Sequence, residues 1–252
     1  MSARTRTDGP ALEVPLLDAG LPAGVRGGFT TRAGSSVRPG DPYAGLNLGD
    51  HVGDDPDRVA AHRDALRRSV GADHLVVPVQ VHGADVVVLD GPPAGPDRAD
   101  ALVTRTPGLA LGVVVADCVP VLLADPVAGV VGVAHAGRPG LVAGVVPAVV
   151  AALRDLGARD LQVRLGPSIC GSCYEVPQDL ADAVADREPA ARARTSWGTP
   201  AVDVAAGVLA QLDVLGLSAR AVGRCTAEYD DLYSYRRDGV TGRTGGVVVL
   251  AP

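Results

Sequence analysis

Between residues 109 and 136 the chain reads LALGVVVADCVPVLLADPVAGVVGVAHA, three apolar runs (109–116, 119–124 and 130–134) separated by links of two and five residues. Runs of this length without polar alternation are the mark of strands covered on both faces. Pro120, the Asp125-Pro126 pair and Gly129 interrupt any helix across the region, and Asp125-Pro126 marks a turn. A helical crossover between parallel strands needs about a dozen residues, so links this short point to a mixed sheet rather than a doubly wound parallel one.

Around this centre the pattern alternates between helix and strand. Asp55-Pro56 supplies a cap and a first-turn proline for a helix over 57–70. That helix carries Val59, Leu66 and Val70 on one stripe and is ended by Gly71. Residues 75–81 and 86–89 read as strands. After the Gly-Arg-Pro-Gly loop at 137–140 a helix runs to about Leu156, where Gly157 closes it; Pro147 predicts a kink or a later start. A strand at 161–165, a helix near Leu180, a helix from the Asp203 cap to Leu215 and a strand at 247–250 complete the reading. Residues 32–57, rich in Gly, Pro, Asp and Asn, read as a long loop of the kind that in a compact domain is usually functional or disordered. The expected class is a single α/β (α+β) domain over residues 25–252, preceded by an extension over 1–24.

With 47% hydrophobic residues but 3% aromatics, the core is built from Val, Leu and Ala. A net charge of −6 provides no basic excess to displace counterions, which argues against nucleic acid or an anionic membrane as partner. The apolar centre is too interrupted for a membrane helix, and residues 1–10 lack the apolar stretch of a signal peptide. Four Cys in 252 residues fit reduced thiols in the cytoplasm better than a disulfide framework. The oligomeric state is left open. All 23 basic residues are Arg. The absence of Lys removes Schiff-base, phosphate-loop lysine and Ser-x-x-Lys mechanisms, so an anionic substrate must be held by Arg, backbone amides or a metal.

Three segments, Val81-His82-Gly83, Ala116-Asp117-Cys118-Val119-Pro120 and Ala134-His135-Ala136-Gly137, each place one soft-metal ligand where an apolar run gives way to a turn. Singly, His82 or His135 reads as a hydrogen-bonded structural residue and Cys118 as a buried thiol. Together they make three protein ligands without a fourth, the count of a catalytic rather than a structural zinc. Adjacent glycines leave room for a metal or substrate. His62, on a helix, and His74, in a connection, are expected to be solvated; His51 lies in the long loop and could reach the site, but it is not expected to belong to it. Cys170 and Cys173 form a Cys-x-x-Cys, but with Cys225 alone remaining they read as two ordinary thiols in a loop.

The sequence resembles the YfiH-like, laccase-domain family, whose members are also called purine nucleoside phosphorylases, polyphenol oxidases and peptidoglycan editing factors. The resemblance runs through Gly28-Phe29-Thr30-Thr31-Arg32, Leu46-Asn47-Leu48-Gly49, His51-Val52-Gly53-Asp54-Asp55-Pro56, Gln80-Val81-His82-Gly83 and the segments of Cys118 and His135. It continues with Cys173-Tyr174-Glu175-Val176, Tyr233-Ser234-Tyr235-Arg236-Arg237-Asp238 and Thr241-Gly242-Arg243. It implies a layered α/β/β/α sandwich with zinc on His82, Cys118 and His135. It further implies phosphorolysis of adenosine, inosine, guanosine and methylthioadenosine, with hydrolytic deamination of adenosine. One departure stands out: where the family commonly reads His-Ala-Gly-Trp-Arg-Gly, this chain has His135-Ala136-Gly137-Arg138-Pro139-Gly140.

For phosphorolysis, Arg32, Arg138 and Arg236 are candidates for holding phosphate, and Asn47 either binds ribose or base or shapes a turn. A competing reading makes Cys118 the nucleophile of a hydrolase with a histidine as its base. Copper is the alternative metal, although five His without a His-x-His pair fall short of a multicopper centre. A non-catalytic, zinc-stabilised binding module is the remaining alternative.

Overall fold

Every residue of the strands Leu109–Val115, Val119–Asp125 and Val130–Ala136 is buried. The computed structural model, which describes residues 12, 14–32, 40–95 and 97–251, shows why. In chain order it contains β1 (Leu16–Leu17), β2 (Val25–Thr30), α1 (Pro56–Ser69), β3 (His74–Val76), β4 (Val86–Leu89), β5 (Ala101–Thr104) and β6 (Leu109–Val115). Then come β7 (Val119–Asp125), β8 (Val130–Ala136), α2 (Arg138–Ala143), α3 (Val145–Asp155), β9 (Gln162–Leu165) and α4 (Gln178–Arg187). Last are β10 (Arg192–Arg194), β11 (Pro200–Val202), α5 (Val204–Val214), β12 (Ala219–Ala221), α6 (Tyr235–Asp238) and β13 (Thr244–Leu250).

Two mixed sheets pack face to face between helical layers. One has the order β1-β2-β13-β6-β3, the other β12-β9-β7-β8-β5-β4; both are antiparallel within, with a parallel pair at the β3 edge of the first and at both edges of the second. Alternate residues serve alternate layers. On β7, Leu122 and Ala124 meet Phe29, Leu111 and Val248 of the other sheet, while Val121 and Leu123 meet Val146, Val149 and Val150 of α3. On β13, Val247 and Val249 join Leu66 of α1 in a third core. The mixed α/β class expected from the short links is therefore the observed one, arranged as α/β/β/α. Truncating a buried leucine such as Leu122, which is fully enclosed, costs about 2–5 kcal/mol.

The links differ in kind. Residues 125–129 close the β7–β8 hairpin, where buried Asp125 accepts the amides of Val127 and Ala128 and, from the loop before β9, those of Arg159 and Asp160. Residues 116–118 instead carry the chain from one sheet to the other. Asp117 turns that corner at φ 90°, and His82 sits at φ 60°. Among the described residues these are the two non-glycine positions with positive φ, and such strain, of order 1–3 kcal/mol, gathers at functional sites.

Several local expectations gain detail. Asp55 and Asp203 cap α1 and α5 as read. Pro147 causes no kink: Gly144, at φ 87°, ends α2, and α3 begins just before the proline. His62 is the correction. It lies on the buried face of α1 with Nδ1 2.8 Å from the Asn47 carbonyl, because it shares the helical stripe of Val59 and Leu66. Leu16–Leu17, within the segment set apart as an extension, pairs with Thr30 and Phe29 as an edge strand; residues 1–11 and 13 of that segment, and 33–39 of the long loop, lie outside the described residues. No helix among the described residues is long and apolar enough to cross a membrane.

Candidate metal centre and cleft

His135 is carried near the end of β8 in the packed centre, Cys118 on the corner between the sheets, and His82 on the irregular segment after β3. Their ligand atoms lie within 4.8 Å of one another, with Cys118 Sγ 3.9 Å from His82 Nε2. The two imidazoles stand edge to face, centroids 4.7 Å apart. Burial is graded: His135 is buried, Cys118 half-buried and His82 exposed toward solvent.

A single carboxylate holds this arrangement. Asp100, fully buried immediately before β5, accepts the amides of Val81, His82 and Gly83 at 3.2, 2.9 and 2.7 Å. The same carboxylate lies 2.8 Å from His135 Nδ1. Burial works against its charge, but His135 and the amides outweigh burial and hold its carboxyl below the usual range. An aspartate so placed fixes the tautomer and aim of a ligating imidazole. Sequence reasoning missed Asp100; the available signal was an acid immediately before the all-buried strand Ala101–Thr104.

The three donors are electrostatically coupled. Burial alone raises the Cys118 thiol, yet hydrogen bonding and charge from His135 and His82 bring it down to about 6. Burial lowers His135, while Asp100 and Cys118 raise it to about 9. Gly137 leaves the space they need: a Cβ there would stand 2.8 Å from His82 Cδ2 and 3.1 Å from Cys118 Sγ. Two nitrogens and one sulfur, oriented by a buried carboxylate and left with room on one side, fit a zinc ion with an exchangeable fourth position.

The cluster forms part of a cleft of about 440 Å³ lined also by His51, Gln80, Arg138, Tyr174, Tyr235, Arg236 and Arg243. Asp117 secures its wall, accepting Thr226 Oγ1, Ser234 Oγ and the Arg236 amide at 2.6–2.7 Å. Arg236 stacks on Tyr174 at 5.1 Å and donates to the Glu175 carbonyl. Arg138 reaches the cleft despite the altered loop, and its Nε is buried without a hydrogen-bond partner. Arg243, not singled out from the sequence as a substrate residue, also faces the cleft; its amide donates to Asn47 Oδ1.

Two expected substrate residues lie elsewhere. Arg32 stacks on Tyr233 and donates to the Ala44 carbonyl, beside a separate depression. Asn47 is fully buried and knits a turn, accepting the Gly49 amide and donating to the Gly49 carbonyl and Asp54. His51, by contrast, does line the cleft.

Comparison with known proteins gives the family. A protein named purine nucleoside phosphorylase from Streptomyces coelicolor is 55% identical over 236 residues, covering 90% of this chain and 96% of its own. One named adenosine deaminase, from an unknown prokaryotic organism, is 38% identical over 248 residues, covering 88% and 92%. The crystal structure of YlmD from Geobacillus stearothermophilus superposes with a TM-score of 0.84 at 31% identity, covering 96% of this chain and 99% of that one. The family described as multi-copper polyphenol oxidoreductase laccase matches residues 26–251, and the chain belongs to that family.

Proposed function

We propose that this chain is a zinc-dependent purine nucleoside phosphorylase with a secondary adenosine deaminase activity, working on a soluble nucleoside and phosphate in a reducing compartment such as the cytoplasm. The observation that carries the reading is the convergence of His82, Cys118 and His135 within 4.8 Å in a cleft lined by three arginines and two tyrosines. The names of the relatives, one a phosphorylase at 55% identity and one a deaminase at 38%, supply the substrate class.

In phosphorolysis the bond between ribose and base lengthens, positive charge builds on the sugar and a phosphate oxygen attacks. The protein must hold an anion and a flat base in line. Arg138, Arg236 and Arg243 supply the cationic side, and a bound oxyanion gives the orphaned Arg138 Nε the acceptor it lacks. Tyr174 and Tyr235 offer ring faces for the purine. Zinc on the three donors would supply Lewis acidity toward a phosphate or ribose oxygen, or toward water in deamination. His82 and His135 keep their aim through Asp100.

The test incubates zinc-loaded protein with inosine or adenosine, with and without phosphate, and identifies products by chromatography. Free base and ribose 1-phosphate that need phosphate and vanish in Cys118→Ala support the proposal; no turnover of any nucleoside rejects it. A second reading rests on the Cys118 thiol at about 6 beside His135, the pairing of a cysteine hydrolase. Chelation distinguishes them, because a hydrolase would be activated by metal removal and the phosphorylase silenced. Copper remains the alternative metal for the Cys/His₂ set. A binding module without turnover would leave every nucleoside intact.

A further inference from the structure

Cys170-x-x-Cys173 gains a counterpart in space that its spacing in sequence does not announce. Cys170 Sγ, Cys173 Sγ, Cys225 Sγ and a carboxylate oxygen of Glu228 all lie within 4.8 Å of one another. The two halves are built alike. Cys173 N–H donates to the Cys170 carbonyl at 3.0 Å, and Glu228 N–H donates to the Cys225 carbonyl at 3.1 Å. Each half is therefore a Cys-x-x-ligand turn closed by its own backbone, Cys-x-x-Cys facing Cys-x-x-Glu. The Ser168–Cys225 bridge holds the two segments side by side. The Cys170 amide points at Cys225 Sγ from 3.4 Å, and Cys173 Sγ lies 3.4 Å from Glu228 Oε1.

We propose that Cys170, Cys173, Cys225 and Glu228 form a second, structural zinc site. Four ligands from two short turns meet the closed tetrahedral requirement, whereas the cleft offers three donors and an open place. Zinc–sulfur bonds of about 2.3 Å put tetrahedral ligand atoms about 3.8 Å apart, so a small contraction of the present cluster suffices. The amide aimed at Cys225 Sγ is the kind of outer contact that steadies a bound thiolate. All four cysteines are free, and each thiol of this cluster gives up its proton to bind the metal.

The location gives the site its work. Tyr174 follows Cys173 and lines the cleft; Thr226 follows Cys225 and donates to Asp117, next to Cys118. A metal at the second cluster thus clips together the loops that set one wall of the cleft. This inference does not depend on which substrate the cleft accepts.

The test measures zinc per chain by elemental analysis in protein prepared under reducing conditions. The expected content is two in wild type, one in Cys118→Ala, one in Cys173→Ser and none in the double variant. Cobalt loading guards against a misfolded Cys173→Ser protein. In Cys118→Ala, a sulfur-to-cobalt charge-transfer band arises from Cys170, Cys173 and Cys225 alone, since no other cysteine remains. Chelation of Cys118→Ala should also lower its melting temperature. One zinc in wild type, none in Cys118→Ala and no charge-transfer band in its cobalt form would overturn the site. So would a disulfide within the cluster in freshly reduced, zinc-treated protein.

Discussion

Cys118 and Cys173 are both half-buried thiols in loops, yet their surroundings drive them in opposite directions. Around Cys118 the packed β8 and the buried Asp100 present two imidazoles, and the thiol falls to about 6 in spite of its burial. Around Cys173, burial, the thiols of Cys170 and Cys225 and the Glu228 carboxylate act together to push it far above the ordinary range. The first cluster carries its own compensating charge and leaves one side open, which suits exchange of a substrate. The second brings three thiols and a carboxylate together, the number of ligands that a closed structural ion takes. Ligand number and neighbouring charge, not the presence of cysteine, separate the two proposed roles.

The sharpest way to break this comparison is to remove the carboxylate that organises the first cluster. Asp100→Ala strands three loop amides and the inner nitrogen of His135. The expected loss is about 3–5 kcal/mol of stability, the usual result of removing one partner from a buried ionic network. Metal affinity at the cleft should fall about 10–100-fold. Urea unfolding and zinc titration measure both, and unchanged values would remove Asp100 from the account.

Next in size is Gly137→Ala. Its Cβ would enter the space of His82 Cδ2 and Cys118 Sγ, at a cost of about 1–3 kcal/mol from overpacking. Zinc should be lost from the cleft and kept at the second cluster. Equal loss from both would blur the distinction. Asp125→Asn is the control for a buried carboxylate remote from either cluster. It accepts four amides, which outweigh burial and hold its carboxyl below the usual range. A folded pKa below the unfolded value means its contribution is full above the unfolded pKa and lost as pH falls through the folded one. Weakening that network should cost about 1–3 kcal/mol at neutral pH, with a flatter acid limb and unchanged metal content.

The thiols themselves provide a finer comparison. In metal-free protein, alkylation of Cys118 followed by peptide mass spectrometry should rise with pH about a midpoint near 6, because the thiolate is the reacting form. Cys173 should remain unreactive until strongly alkaline pH. A common midpoint would erase the contrast. The smallest effect is expected from Arg32→Ala, since Arg32 lines a separate depression and not the cleft. Its KM for phosphate should stay within about threefold of wild type, a difference of less than about 1 kcal/mol, while Arg138→Ala raises it by tenfold or more.

Much of this was legible in the sequence because the deciding physics is local. The triple apolar run marks strands enclosed on both faces, and Asp55, Asp203 and the Asp125-Pro126 turn are satisfied by nearby amides. His82, Cys118 and His135 are recognisable because each ends an apolar run next to a turn. What escaped depends on partners distant in the chain. Asp100 acts on His135 from 35 residues away, and Glu228 meets Cys173 across 55. The passage of 116–118 from one sheet to the other likewise follows from global pairing, not from its three residues. His62 is a different failure: its place on the Val59–Leu66 stripe was readable, but a polar residue on a charged helix suggested solvent.

Anomalous diffraction at the zinc edge, from crystals of zinc-loaded protein, tests the central claim most directly. The account predicts one peak bound by His82, Cys118 and His135 with a fourth, exchangeable ligand from the cleft, and a second peak closed by Cys170, Cys173, Cys225 and Glu228. A map without density between His82, Cys118 and His135 would contradict it.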